Sequence, residues 1–282
     1  MTTYSNPPHV LGVPEHFNLP WYQLADQGVI AWTDVPEGTG AMLDKLSAGD
    51  AQMALLLTDG AVAGIAKGAP VRIIGCYVES PLVWGVHVAA GSDFYKPADI
   101  TGRAFAISRF GSGSHLMAGV YAAARDWPQG ALDYVVVDNL AGARRALPAG
   151  DADIFLWEVF TTKPYVDKGE FRRVDEIPTP WPAFVACVHR DADAATVAAA
   201  RDLLERALQR AAALAGNDHA REIFADRFKL EVEDAGEWLA RTRWSADGQI
   251  NQIVIDRTAA ALRGTGILDS EATAQLADWR AG

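Results

Sequence analysis

Cysteine is scarce in this chain. There are two in 282 residues, Cys76 and Cys187, and neither has a second cysteine at metal-ligand spacing. Both sit in apolar, strand-like runs, which reads as two buried thiols rather than a disulfide framework or a zinc site. Positive charge is also in short supply. Lys and Arg number 25 against 36 Asp and Glu, leaving a formal charge of −11. No basic run interrupts the acidic balance, so nucleic acid and anionic membrane surfaces are excluded as partners. No apolar stretch is long enough to span a bilayer. The opening residues Met1 to Pro8 hold neither a basic region nor an apolar core, so no secretory signal is read there and a cytoplasmic place is expected, with a periplasmic one as the alternative for a chain whose signal has been removed. Catalytic signatures are missing too: there is no GxSxG, H-E-x-x-H, CxxC, GxGxxG or phosphate loop.

Half the residues are hydrophobic, enough for a substantial core. Their pattern is a short apolar run, a polar or glycine turn, then a helical period. Strands are expected at His9–Val13, Val29–Val35, Gln52–Leu57 and Val71–Val78, with helices after Asn18, Gly38 and Thr58. Asn18 is expected to cap the first of these. A second series follows, with strands at Trp84–Ala89, Ala104–Ile107, Tyr134–Val137 and Ile154–Leu156, and a last one at Ala183–Val188. From Asp191 the chain turns alanine-rich and helical, through Ala194–Leu214, Asn217–Phe228, Asp234–Arg241, Gln249–Arg263 and a final helix after Ser270. This alternation predicts an α/β fold with mainly parallel sheet in two series. Ligands collect outside the carboxyl ends of such strands. Two facing sets of strand ends predict a cleft.

The turns at those ends carry the chemistry. Glu15 and His16 follow the first strand, with Trp21 on the helix behind as an aromatic able to stack on a planar ligand. Thr39 opens the second helix. Thr58 and Asp59 end the third strand, where capping alone would explain both. Tyr77, Glu79 and Ser80 close the fourth. In the second series, Ser108-Arg109-Phe110-Gly111-Ser112-Gly113-Ser114-His115 joins strand to helix, an arrangement that aims backbone N–H groups at a ligand. Ser108, Ser112, Gly113 and Ser114 exceed what a cap needs. Asn139 ends the next strand, and Trp157 with Glu158 the one after. Such a pair is costly to bury without use.

The order of these segments resembles a family. Glu15-His16-Phe17-Asn18 between strand and helix, Leu46 to Ala51, Pro97-Ala98-Asp99-Ile100-Thr101-Gly102 and Gly150-Asp151-Ala152-Asp153 before Ile154 are similar to type II periplasmic-binding-protein folds. The closer branch holds sulfonate-, taurine- and thiamine-pyrimidine-precursor-binding proteins. Phe155 to Tyr165, with Thr179-Pro180-Trp181-Pro182 after it, resembles a signal-less intracellular subfamily from fungi and bacteria. The resemblance covers nearly the whole chain. It implies two lobes, 1–87 with 185–282 and 88–184, joined by crossover strands near Val83–Val88 and Ala183–His189, closing on a small molecule by hinge motion. It implies that the turns named above line the cleft.

The expected activity is non-catalytic binding of a small organic ligand, heteroaromatic or sulfonate-like, with no cofactor, no metal and no membrane insertion. A transporter permease as partner is left open. The alternative is an enzyme of the same fold, of thiamine-pyrimidine or menaquinone-pathway type. Against it, the pyrimidine synthases carry a cysteine-rich segment absent here, and the menaquinone enzymes' opening motif is not matched by Val13-Pro14-Glu15-His16. His16, Asp59 and Ser112 remain the residues such chemistry could use. With acidic Glu15, Asp59, Glu79 and Glu158 at the strand ends and Arg109 as the one nearby base, a neutral or zwitterionic heteroaromatic fits better than a free phosphate.

Overall fold

One five-strand pattern is used twice. The computed structural model describes residues 7–128 and 132–269, with Leu276 and Trp279. The first sheet takes β1 (His9–Gly12), β2 (Ala31–Asp34), β3 (Met53–Leu57), β4 (Val71–Val78) and β10 (Phe184–His189), in the order β2-β1-β3-β10-β4. The second takes β5 (Val83–Ala89), β6 (Phe105–Ile107), β7 (Tyr134–Val136), β8 (Ile154–Glu158) and β9 (Phe171–Pro178), in the order β7-β6-β8-β5-β9. In each sheet three neighbouring strands run parallel. One strand, β10 in the first sheet and β5 in the second, then inserts antiparallel before the edge strand. The sheets are therefore mixed, and the expectation of mainly parallel sheet is corrected at β10 and β5.

The described residues fall into two units. One comprises those up to Ser80, 181–259 and those beyond Leu268; the other comprises 81–180 and 260–268. The chain passes between them at Ser80-Pro81, Pro180-Trp181, Ala259-Ala260 and Leu268-Asp269.

In the first unit, α1 (Leu19–Asp26), α2 (Thr39–Ser47) and α3 (Thr58–Ala66) follow their strands within a few residues. The long α7 (Ala194–Ala215) buries Leu203, Leu204, Ala207, Leu208 and Ala211 along one stripe, as their helical spacing requires. Then come α8 (Ala220–Phe228), α9 (Val232–Arg241) and α10 (Gln252–Gly264), whose residues from 260 on belong to the second unit. The final helix expected after Ser270 lies outside the described residues. Aromatic edges knit this unit: Phe17 sits 5.1 Å from Trp238 and 5.2 Å from Phe184, and Phe224 lies 4.8 Å from Trp238. The free edge of β4 is covered by a later segment. Ser245 N–H donates to Tyr77 O at 2.9 Å and Cys76 N–H to Gly248 O at 2.9 Å.

In the second unit, α4 (Gly113–Ala123), α5 (Leu140–Ala149) and α6 (Val159–Asp167) follow β6, β7 and β8. Ala106, Phe155, Phe171, Ala143 and Leu147 form its core between sheet and α5. Gly142 packs so closely that a Cβ there would lie 1.7 Å from Val137 O.

Two elements depart from the sequence expectation. α6 carries Pro164 and two threonines, poor helix formers that masked it. β9 reads Phe-Arg-Arg-Val-Asp-Glu-Ile-Pro, a charged run that looks like loop. It is the edge strand, where charge is favoured because it discourages pairing with other chains. Arg172 uses its charge inward, donating to the carbonyls of Ser92 and Phe94 at 2.9 Å and of Ala90 at 2.6 Å. Among the described residues no helix is long and apolar enough to cross a membrane.

Candidate functional site

Because β2, β1 and β3 are adjacent and parallel, their carboxyl ends share one edge of the first sheet. β1 runs out into Glu15 and His16, which open a short 3-10 turn. Glu15 is half-buried. His16 is buried with its ring edge-on to Phe228 at 4.9 Å and Trp238 at 5.6 Å. Its Nδ1 has no hydrogen-bond partner among the described residues. Burial draws its pKa down to about 4, so the ring is neutral at physiological pH. Asn18 occupies the cap position of α1, but its side chain makes no cap bond. Instead its amide donates to Val13 O at 2.7 Å.

β3 runs directly into α3. The N-cap position is Leu57, so neither Thr58 nor Asp59 caps the helix. Both are buried all the same. Thr58 has no exposed surface and its Oγ1 has no partner among the described residues. Asp59 is 6 % exposed, and burial pushes its carboxyl pKa up to about 6. Its own backbone amide and the Trp181 side chain donate to it and partly offset that rise. Thr39 serves the backbone, its Oγ1 accepting from Leu57 N at 3.2 Å.

Other expected contributors do structural work. Trp21 is fully enclosed, stacked 6.4 Å from Trp32 and edge-on to Tyr77, so it presents no surface to a ligand. Tyr77 is likewise enclosed. It donates to Phe17 O at 2.5 Å and lies 3.3 Å from Trp244 Nε1. Glu79 is exposed and faces Arg243 at 3.4 Å, a surface ion pair of small consequence for stability. Ser80, the last residue before the crossing to the second unit, is buried and accepts from Arg243 N at 3.0 Å.

In the second unit the serine loop after β6 is self-contained. Ser112 is the N-cap of α4 and accepts from His115 N at 3.3 Å. Ser114 Oγ accepts from Ser108 N at 2.9 Å and lies 3.1 Å from Ser108 Oγ and 3.0 Å from Ser112 Oγ. The three hydroxyls thus bond mainly to one another and to the loop backbone, and all three residues are buried. Gly113 is the first helical residue and half-buried. His115 Nδ1 accepts from Gly111 N at 3.0 Å, and its ring meets Tyr134 at 4.7 Å. Asn139 caps α5 through Gly142 N at 3.0 Å and is exposed. A Ser112→Ala variant is expected to lose about 1 kcal/mol of stability, measured by urea unfolding, because α4 loses its cap.

β8 ends in Trp157 and Glu158. Trp157 is half-buried and stacked on Phe155 at 5.3 Å. Glu158 is 5 % exposed and caps α6, accepting from Thr161 N at 2.6 Å and Thr161 Oγ1 at 2.8 Å. Burial raises its pKa; donors from Thr161 and Phe160 and the positive charge of Arg173 work against the rise. Beneath it His87 is enclosed, 3.2 Å from Phe155 O and 2.9 Å from Thr162 Oγ1. Burial holds its pKa down to about 3. Arg173 comes from β9, whose charged sequence does not announce a strand. Trp181 and Arg243 were also missed, and no local signal marks them, because their roles depend on contacts with Asp59 and Ser80 that lie far away in sequence.

The sequence model of the family described as Ca3427-like PBP matches residues 84–177. A solved structure from Candida albicans, whose CA3427 gene product "defines a new family of proteins exhibiting the generic periplasmic binding protein structural fold", superposes with a TM-score of 0.87 at 27% identity, over 98% of this chain and 96% of that one. The fold is that of the periplasmic binding proteins. The chain resembles the CA3427 family in particular. The alkanesulfonate-binding protein SsuA from Xanthomonas axonopodis pv. citri, solved bound to MOPS, superposes at 0.77 with 17% identity, over 100% of both chains. The periplasmic aliphatic sulphonate binding protein SsuA from Escherichia coli gives 0.72 with 15% identity, over 99% of this chain and 93% of that one. At those identities the likeness to the SsuA proteins is one of fold. No curated protein matches the chain.

Proposed function

We propose that this protein is a non-catalytic binding protein for a small organic molecule with a planar or aromatic part and one polar head group. The observation that carries the proposal is the state of the strand ends. At the strand ends of the first sheet His16, Thr58 and Asp59 are buried, and His16 Nδ1 and Thr58 Oγ1 lack partners among the described residues. Polar groups buried without partners cost free energy, and a fold keeps that cost where a ligand supplies the missing bonds. The periplasmic-binding-protein fold of the chain supports the same reading, and the sulfonate-binding neighbours lend it a class of comparable ligands. A cytoplasmic place is part of the proposal, supported by two free buried thiols.

Binding is favoured over catalysis by the surroundings of Ser112. Its hydroxyl lies against Ser114 Oγ and the backbone amides of Arg109 and His115, none of which is a general base.

The test is a thermal-shift screen of small metabolites, followed by calorimetry and by mass spectrometry of whatever co-purifies. A true ligand at a hundred times its dissociation constant is expected to stabilise the protein by about 2.7 kcal/mol. His16→Gln and Asp59→Asn are each expected to weaken it about tenfold, roughly 1.4 kcal/mol. A compound turned over by the parent, with Kd unchanged in both variants, would replace this reading with the enzymatic one.

A further inference from the structure

The strand-end edge of the first sheet has a definite charge character. Glu15, Asp59 and Glu79 follow β1, β3 and β4. Against them stands Arg243, which lies against Glu79 at 3.4 Å. Asp59 is the buried member. The side chains and amides that hydrogen-bond to it are neutral, its own backbone N–H and the Trp181 side chain. Next to it in the chain, Thr58 Oγ1 is fully enclosed without a partner among the described residues. On the neighbouring strand Leu11 stands opposite Ala54, and the turn after β1 that holds His16 leaves the same edge of the sheet as the start of α3 that holds Thr58 and Asp59. His16 brings to that edge a second buried atom, Nδ1, without a partner among the described residues.

We propose that this edge takes its ligand through a protonated nitrogen, an ammonium or amidinium group, with the Asp59 carboxylate as counter-ion and Thr58 Oγ1 as a further acceptor. The inference rests on the binding reading above and names the chemistry of the group bound. A buried carboxylate served by neutral donors alone is destabilising, and a cation that brings its own N–H donors removes that penalty. An ammonium or amidinium has more donors than one carboxylate absorbs, and Thr58 Oγ1 and neutral His16 Nδ1 are acceptors left over. A simple sulfonate placed here would instead set a second negative charge beside Asp59, while among the described residues the base that stands at this edge, Arg243, pairs with Glu79.

The experiment uses the full chain. Butylammonium, benzamidinium and guanidinium are compared with butanesulfonate and benzoate by thermal shift and calorimetry. At least one of the cations is expected to bind and raise Tm, and neither anion to do so. The same cation is expected to bind at least tenfold more weakly to Asp59→Asn and several-fold more weakly to Thr58→Val, with circular dichroism and unliganded Tm showing that both variants fold. Butanesulfonate or benzoate binding in place of the cations would overturn the charge assignment and leave the binding reading standing. So would a ligand from the metabolite screen that carries no cationic nitrogen. Cation binding undiminished in Asp59→Asn would overturn the placement at Asp59. Silence from both the cations and the metabolite screen would bring down both readings.

Discussion

The Asp59→Asn variant is expected to be more stable than the parent at pH 7.5, and equal to it near pH 4. The reasoning is linkage. In the unfolded chain the carboxyl titrates near 3.8, and in the fold at about 6. Between those values the folded state holds the extra proton, so this group's contribution declines as pH rises from about 4 to about 6 and stays lost above that. The gap corresponds to about 3 kcal/mol at neutral pH. An amide of the same shape is never charged and escapes the penalty. Urea unfolding at the two pH values measures it; an Asn variant less stable than the parent at pH 7.5 would sink the assignment. The same substitution is the one expected to cost cation binding. Stability and affinity moving in opposite directions at one residue is the mark of a group retained for a ligand rather than for the fold.

The second large effect lies on the acid side and has the opposite sign. His87 and His16 are held neutral by burial, with pKa values near 3 and 4 against 6.5 unfolded. Each takes up a proton on unfolding once the pH falls below about 6.5. Their contribution is complete above that pH and is lost on acidification, at about 1.4 kcal/mol per pH unit for each ring. By pH 4 that amounts to roughly 3 kcal/mol from either residue. In His87→Gln the side chain still reaches an acceptor and a donor, Phe155 O and Thr162 Oγ1, but has no proton to gain. The slope of unfolding free energy against pH, measured around pH 5, is expected to be shallower than the parent's by about 1.4 kcal/mol per unit. An unchanged slope would mean that the ring is already charged in the fold.

Much of this fold was legible in the sequence, for a physical reason. Apolar runs such as Met53–Leu57 and Val71–Val78, punctuated by Gly, Asn and Thr, carry the strand-turn-helix rhythm locally. Pairing order is not local. Nothing in Phe184–His189 says that it will lie antiparallel between β3 and β4, and nothing in Phe171–Pro178 overrides its charge to announce a strand. The candidate site divides the same way. Residue types at strand ends could be read: His16, Thr58, Asp59 and Glu158 are where the apolar runs stop. Their burial could not be read, nor could the roles of Tyr77 and Trp21, which are settled by partners far along the chain such as Phe17, Trp244 and Trp32. For Thr58 and Asp59 the sequence offered helix capping as a sufficient reason. The structure removes it, because Leu57 holds the cap position.

The insertion of β10 also governs the order in which the molecule is made. A chain that has emerged as far as residue 180 already owns every strand of the second sheet, β5 to β9. The first sheet has by then four strands but not the one that joins β3 to β4, and the segment that seals the edge of β4 at Tyr77 and Cys76 is more than sixty residues from being made. The half of the protein that begins first is therefore finished last, and on the ribosome β4 waits with both of its edges unpaired while its younger counterpart closes.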